Sequence, residues 1–443
     1  MAQSHHLSAI CPFLFYSALF LSCVYGAREL AEINPLLPPA SPCFTSAKGQ
    51  FQGLQIVNKY EPCSSPLSLE KSRPNQEVLL QDQFRARLLD SLEVVDEYGE
   101  GIQLPLTSRG DGNFLVTVGV GTPKRDFTLL FDTGSDATWI QCEPCSAGCN
   151  HQIPIFYPSS SSSFSNAICN ITCDYSMNYH DGTYSSGYYV VDTLTIQSDL
   201  HPNFIFGCAQ KIHGDFGGAV GLLGVGPGNL SLVAQTDTGY FRVFCYCLPA
   251  SENSAGYLSF GVQAFENCQP DENKLIPISL GLNQNAYSYF VTLTGITIGQ
   301  QRLDISGNVS SPLKAIIDSG TSISRLPFSL YSALRQAFRR LMSQYPTASP
   351  SQNFDTCYNL EGQNNWTPPK MVLHFEGVDL DLDPSAVTFR EKDNNAQVCL
   401  AFMANENDSD LTIIGNQQHR EMNVFFDISN QKLAFTSGGC SNW

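Results

Sequence analysis

Charge is what this chain has least of. Of its 443 residues only 15% are charged, and 24 Lys and Arg face 41 Asp and Glu. The net charge of −17 disfavours a nucleic-acid partner, because neutralising phosphates takes Lys and Arg, and no Lys-rich stretch supports one. Its plain meaning is solubility; adaptation to acid, where many carboxylates would be neutral, fits the same composition. The eight His are scattered without a His-Glu-x-x-His or other metal spacing, so neither metal nor cofactor is expected. A Ser-His-Asp mechanism lacks its Gly-x-Ser-x-Gly anchor. After residue 26 no apolar run is long enough to span a bilayer. The closing Gly-Gly-Cys-Ser-Asn-Trp offers no hydrophobic tail for a lipid anchor.

What remains is apolar and small. The chain is 42% hydrophobic with 34 Gly and 18 Tyr, a globular composition. Plentiful Ser, Thr and Asn suit a β-rich protein with polar turns. Its length exceeds what one core usually serves, so two lobes are expected. Residues 9–24 form an apolar run, interrupted by Pro12 and followed by Val24-Tyr25-Gly26. This reads as a secretory signal over 1–26, although His5 and His6 stand where Lys or Arg is usual. The extracellular space is the expected destination, with the vacuole as alternative and the plastid third. Of 16 Cys, Cys11 and Cys23 leave with the signal and Cys43 and Cys63 follow it. The body keeps Cys142, Cys145, Cys149, Cys169, Cys173, Cys208, Cys245, Cys247, Cys268, Cys357, Cys399 and Cys440. An even set in an oxidising compartment favours disulfides over a zinc half-site or redox pair at Cys142-x-x-Cys145. Glycosylation sequons begin at Asn170, Asn229, Asn308, Asn365 and Asn407.

Residues 27–105 hold few strand patterns and read as a prosegment. Within 81–92, Phe84, Leu88 and Leu92 share a helical face beside Arg85 and Arg87, a basic helix suited to cover an acidic cleft; a plain linker is equally open. The N-terminal lobe is set at 106–280 and the C-terminal lobe at 281–443. Phe114, Val116, Val118 and Val120 alternate as a half-buried strand should. A second strand series opens at Tyr287. A helix is predicted over 327–344, with Leu330, Leu334, Phe338 and Leu341 buried and Arg335, Arg339 and Arg340 outside. Residues 159–163 are serine-rich and expected to be mobile.

Two segments repeat each other. Phe-Thr-Leu-Leu-Phe-Asp-Thr-Gly-Ser carries Asp132, and Lys-Ala-Ile-Ile-Asp-Ser-Gly-Thr carries Asp318, 186 positions later. A single Asp-Thr-Gly is commonly a turn. Here the copies agree in the apolar run before the Asp and in the three residues after it. Gly134 and Gly320 let backbone amides come close to the carboxylates. Those amides and the hydroxyls of Ser135 and Thr321 are suited to bond the carboxylate oxygens. Thr133 and Ser319 are suited to bond across to the opposite loop. Two carboxylates held together cannot both ionise easily, and a pair sharing one proton can activate water against a peptide carbonyl. Which Asp is base and which is acid stays open.

On these residues the chain resembles the pepsin-type (family A1) aspartic proteases, in their plant nepenthesin-like branch. It is also similar to the chloroplast nucleoid DNA-binding protease group of that branch. The likeness runs from about residue 113 to 440, and Leu54-Gln-Ile-Val-Asn-Lys-Tyr-Glu-Pro-Cys63 resembles the subgroup's prosegment. It implies an all-β, bilobal, pepsin-like double-ψ β-barrel fold with a few short helices and an interlobe cleft. Trp139 matches the family's tryptophan beneath the flap. Tyr179-His-Asp-Gly-Thr resembles the flap tip, so Tyr179 would close on substrate. Gly221-Leu-Leu-Gly-Val-Gly and Leu411-Thr-Ile-Ile-Gly-Asn are similar to the segments behind each catalytic loop, with Gly224 and Gly415 as close-packing glycines. Cys142-Glu-Pro-Cys145 with Cys149 resembles the nepenthesin insertion. Phe354-Asp-Thr-Cys-Tyr and Val398-Cys-Leu-Ala-Phe resemble the ends of a disulfide from Cys357 to Cys399. The chain departs from the pattern at His180, where Gly is usual, and in 169–179, which is short and lacks a cysteine pair. Cys245 and Cys268 also fall outside it and are open to pairing with each other. No saposin-like insertion is present, and DNA binding is not carried over.

The resemblance implies an aspartic endopeptidase working in acid on protein or peptide substrates. Its own prosegment would inhibit it, and a monomer free of membrane after signal removal is expected. The rival is a protein-binding homologue like the xylanase-inhibitor-like proteins, which have lost the catalytic pair. The two Asp, their hydroxyl neighbours and Tyr179 rank that rival second.

Overall fold

The computed structural model describes residues 101–440 other than 109–111, 151–152, 169–172, 180–181, 215, 217, 251–254, 284–285, 306–311, 352–353, 364, 392–393 and 438. The signal, nearly all of the prosegment with its 81–92 helix, Cys169, His180, Asn170 and Asn308 lie outside the described residues.

The architecture is all-β and pepsin-like, and it repeats one motif. In the first half the strand Arg125–Asp132 lies parallel to Gly221–Gly224, with Asp132 opposite Gly224. Trp139–Gln141 then runs antiparallel to Gly221–Gly224. In the second half Leu313–Asp318 lies parallel to Thr412–Gly415, with Asp318 opposite Gly415. Ser324–Leu326 runs antiparallel to Thr412–Gly415. The first copy belongs to a 14-stranded sheet, the second to a 9-stranded one, and a 4-stranded sheet completes the C-terminal half. The large sheet also takes in the late strands Asn423–Asp427 and Lys432–Thr436. Asn423–Asp427 pairs with Val243–Cys247, so backbone hydrogen bonds join the halves.

Strand alternation explains which side chains reach the core. Phe127, Leu129 and Phe131 point inward and are buried, as are Ala315 and Ile317 in the second copy. The residues between them face the opposite side, where the two Asp emerge. The sheet begins earlier than the sequence predicts. Ile102–Ser108 pairs with Ala255–Phe260 and with the start of Phe114–Val120, and Ile102, Leu104 and Leu106 are buried. Pro105 inside that run reads against a strand.

The long helix spans Phe328–Leu341. Leu330, Leu334 and Phe338 are buried with Tyr331 and Ala337, but Leu341 is 45% exposed, which corrects the expected stripe. The helix ends at Leu341, and Met342 turns into the core in its place. The serine-rich stretch is also corrected: 159–163 is pinned rather than loose. Ser161 Oγ accepts from Thr122 N at 2.9 Å, while Ser163 Oγ donates to Asp192 Oδ1 at 2.6 Å and lies 2.7 Å from the Thr122 hydroxyl.

Five disulfides are described: Cys142–Cys208, Cys145–Cys149, Cys245–Cys268, Cys247–Cys440 and Cys357–Cys399. Cys245 and Cys247 lie two apart on one strand and so share a face, one tying down the helix Val262–Cys268 and the other the chain's end. Cys247–Cys440 closes a separation of 193 residues, which removes much freedom from the unfolded chain.

One core residue is out of keeping with its surroundings. His419 is fully buried at the junction of the halves. Its Nδ1 lies 3.2 Å from the Tyr246 hydroxyl. Burial holds the imidazole down to a pKa of about 3. The unfolded chain would protonate near 6.5, so the stability of keeping His419 neutral is present above that pH and is lost as pH falls towards 3.

Two stability predictions follow from the core. Leu334→Ala should lower unfolding free energy by about 2–5 kcal/mol, and Leu341→Ala should change it by no more than about 0.5 kcal/mol, as read by urea denaturation. His419→Gln should move the acid-unfolding midpoint to lower pH in a circular-dichroism titration; an unmoved midpoint would show that the imidazole is not the acid-sensitive group.

Candidate active site

The two Asp loops meet tip to tip. Gly134 N donates to Asp132 Oδ1 at 2.8 Å, and Ser135 Oγ donates to Asp132 Oδ2. Gly320 N donates to Asp318 Oδ1 at 2.8 Å, and Thr321 Oγ1 donates to Asp318 Oδ2 at 2.7 Å. The loops then exchange bonds across the interface. Thr133 N donates to Ser319 Oγ at 2.9 Å, and Ser319 N donates to Thr133 Oγ1 at 2.8 Å. Thr133 Oγ1 donates onward to the Ile317 carbonyl at 3.2 Å, and Ser319 Oγ to the Phe131 carbonyl at 3.4 Å. Each hydroxyl both accepts from and donates to the backbone of the opposite segment, so its whole capacity is spent across the interface.

This exchange sets the carboxyls face to face, with Asp132 5% and Asp318 8% exposed. It also shows why the third residue must be Gly. A Cβ on Gly134 would lie 2.5 Å from Asp318 Oδ1, and one on Gly320 would lie 2.3 Å from Asp132 Oδ1. Each glycine makes room for the opposite carboxylate. Burial, and next the charge of Asp318, push Asp132 up to about 7, against the pull of the bonds from Ser135 and Gly134. A carboxyl of this kind keeps its proton where a solvated one would be ionised.

Tyr179 and Trp139 also meet. Trp139 Nε1 donates to the Tyr179 hydroxyl at 2.8 Å. Tyr179 sits at the turn between Asp174–Asn178 and Tyr184–Ile196, where its N donates to the Thr183 carbonyl at 2.9 Å and its carbonyl accepts from Gly182 N at 3.0 Å. Phe216 packs edge-on against Trp139 at 4.9 Å and Tyr179 at 5.9 Å. With Leu130, Met177, Tyr189, Ile212 and Leu222 they make one apolar cluster.

Several site residues escaped the sequence. Thr138 Oγ1 accepts from Gly224 N at 3.2 Å, and Ser324 Oγ accepts from Gly415 N at 2.9 Å. Both lie six positions after their Asp, so extending the comparison of the two copies past the third residue would have found them. Asp136 accepts from Gly228 N at 2.6 Å and from Tyr287 N at 2.8 Å, tying the first loop to the opening strand of the second half. Burial raises its pKa. Asn416 donates to the Ser319 carbonyl at 2.9 Å and the Gly112 carbonyl at 2.6 Å, bracing the second loop. Phe216 lies outside any strand pattern and left no local signal.

The sequon residues Asn229, Asn365 and Asn407 are exposed. Among the described residues no group of His, Cys, Asp or Glu is placed to hold a metal ion, and no helix is long and apolar enough to cross a membrane.

Comparison with known proteins agrees with this geometry. Residues 113–437 match the family described as Eukaryotic aspartyl protease. The chain is 37% identical to Aspartyl protease AED1 of Arabidopsis thaliana, over 92% of this chain and 91% of the relative. It is 32% identical to Aspartic proteinase nepenthesin-1 of Nepenthes gracilis, over 80% of this chain and 84% of the relative. The crystal structure of Basic 7S globulin from soybean superposes with a TM-score of 0.62 at 20% identity, covering 77% of this chain and 98% of that one, a likeness of fold. With the match reaching from the strand Phe114–Val120 to the strand Lys432–Thr436, the chain belongs to the eukaryotic aspartyl protease family.

Proposed function

We propose that this chain is an endopeptidase that hydrolyses internal peptide bonds in acid, with Asp132 and Asp318 sharing one proton and activating water. The observation that carries this reading is the facing of the two carboxyls, each lying against the glycine of the opposite loop and each with the same amide and hydroxyl donors. The ionised member takes a proton from water while the protonated member polarises the scissile carbonyl, and the water attacks directly, so no acyl-enzyme forms. An extended substrate would lie beneath Tyr179 and bond through its backbone as a strand does. The reaction calls on no metal or cofactor. Residues 1–26 would direct secretion, 27–105 would inhibit the zymogen, and the mature chain would act as a monomer on protein or peptide substrates. The competing reading is a protein-binding homologue without catalysis; the intact donors around both carboxyls favour the enzyme.

Hydrolysis of a denatured protein at about pH 3–5, the range of shared-proton pairs, tests this. After prosegment removal, Asp132→Asn and Asp318→Asn should each fall by at least about a hundredfold. A wild type as inert as both variants would establish the binding reading instead. Activity should also decline as pH rises through about 7, where Asp132 loses the shared proton. Ser135 stabilises the charged carboxylate, so Ser135→Ala should move that alkaline limb to higher pH in a kcat/KM profile.

A further inference from the structure

We propose that Lys314 gives the cleft a charge preference, selecting peptides that carry a carboxylate side chain on one side of the scissile bond. This rests on the enzymic reading of the site and adds a specificity-determining residue to it.

Lys314 belongs to the strand Leu313–Asp318. Ala315 and Ile317 of that strand point into the core. By alternation Lys314, Ile316 and Asp318 share the opposite face, the one on which the carboxyl pair emerges. Next to Asp318 on that face, Ile316 packs with Phe290 and Ile413, and Leu411 borders them. Lys314 is the next residue outward. Its Nζ sits 3.7 Å from the centroid of the Phe290 ring, and the side chain is exposed. The ring positions the ammonium by cation–π attraction while leaving its donors in water. No carboxylate among the described residues pairs with it. The cation therefore stands at the rim of an apolar wall with its charge unspent.

The other half offers no counterpart. Four positions before Asp132 stands Thr128, as Lys314 stands four before Asp318, and the Thr128 hydroxyl lies 3.0 Å from that of Thr117. At the equivalent position the first half is therefore neutral. A peptide laid across both Asp would meet a fixed cation beyond one of its two flanking wall clusters, so a Glu there gains an attraction that a Gln does not.

Acid chemistry supplies a distinctive readout. A peptide Glu titrates near 4.3, so the preference should hold at about pH 5.5 and fade by about pH 3, where Glu is neutral. A set of peptides with Glu or Gln at each of four positions on either side of one scissile bond tests this through the Glu/Gln ratio of kcat/KM. The expected ratio is about two- to fivefold at pH 5.5, on one side only, falling to one at pH 3. Lys314→Gln should abolish the ratio, Lys314→Arg should keep it, and Lys314→Glu should invert it for Lys-containing peptides. A ratio of one at every position in the wild type, or a ratio unchanged in Lys314→Gln, overturns the role of Lys314 while the hydrolysis itself stands. Cleavage of none of the peptides overturns the enzymic reading and this inference together.

Discussion

Two groups of like charge occupy one buried site because hydrogen bonds that bypass the charges hold them there. Thr133 and Ser319 each give an amide and a hydroxyl to the opposite loop. Those four neutral groups carry the burden of opposing the repulsion of Asp132 and Asp318. Everything near the site follows from this arrangement. The third residue of each loop is Gly because the facing carboxylate fills the space a side chain would take. The strands behind are pinned by Thr138 and Ser324, because a loop held from the front only would yield to the repulsion. The sheet that joins Val243–Cys247 to Asn423–Asp427 carries the same duty at larger scale, since halves free to part would separate the pair.

The raised pKa of Asp132 bears on stability. Asp132 has a raised pKa in the folded protein, so the native state takes up a proton more readily than the unfolded chain does. Its contribution is fully present below the ordinary 3.8 and is lost as pH rises through about 7. His419 works the other way. Its neutral ring adds stability above 6.5, lost as pH falls towards about 3. Tyr246 lies between the two, contacting His419 on one side and packing edge-on against Phe131, the neighbour of Asp132, on the other. Between 3.8 and 6.5 the contributions of Asp132 and His419 slope in opposite directions and offset each other, so together they level the pH dependence of stability there.

What the sequence disclosed was what repeats. Asp132 and Asp318, the hydroxyls beside them and the strands before them stood out because the chain writes them twice, and duplication is a signal that survives without coordinates. The inward stripe of the helix Phe328–Leu341 was legible for the same kind of reason, periodicity, until its last turn, where the end of the helix and not the period decides burial. Asp136, Asn416 and Phe216 were hidden because each acts once and at long range. Asp136 reaches Tyr287, 151 positions away, and Asn416 reaches Gly112, 304 positions away. No local pattern encodes such partners. Composition misled at residues 159–163, since serines that look solvated are the donors and acceptors anchoring the turn at Thr122.

The repeat is also where the halves part company, and the departures are functional in character. Four residues after Asp132 comes Asp136, whose carboxylate grips the second half; four after Asp318 comes Ser322, whose hydroxyl donates to the Gly112 carbonyl at 3.3 Å. The first half carries the hairpin with Tyr179, and the wall around it is aromatic, with Trp139 and Phe216. The second half has Ile316, Ile413 and Phe290 with Lys314 at their edge. A symmetric carboxyl pair can activate water from either side, so symmetry serves the chemistry. A peptide has a direction, and a site that recognises one must break that symmetry. The residues that differ between the copies are therefore where recognition is to be sought, and the residues that agree are the ones that hold the two carboxyls in place.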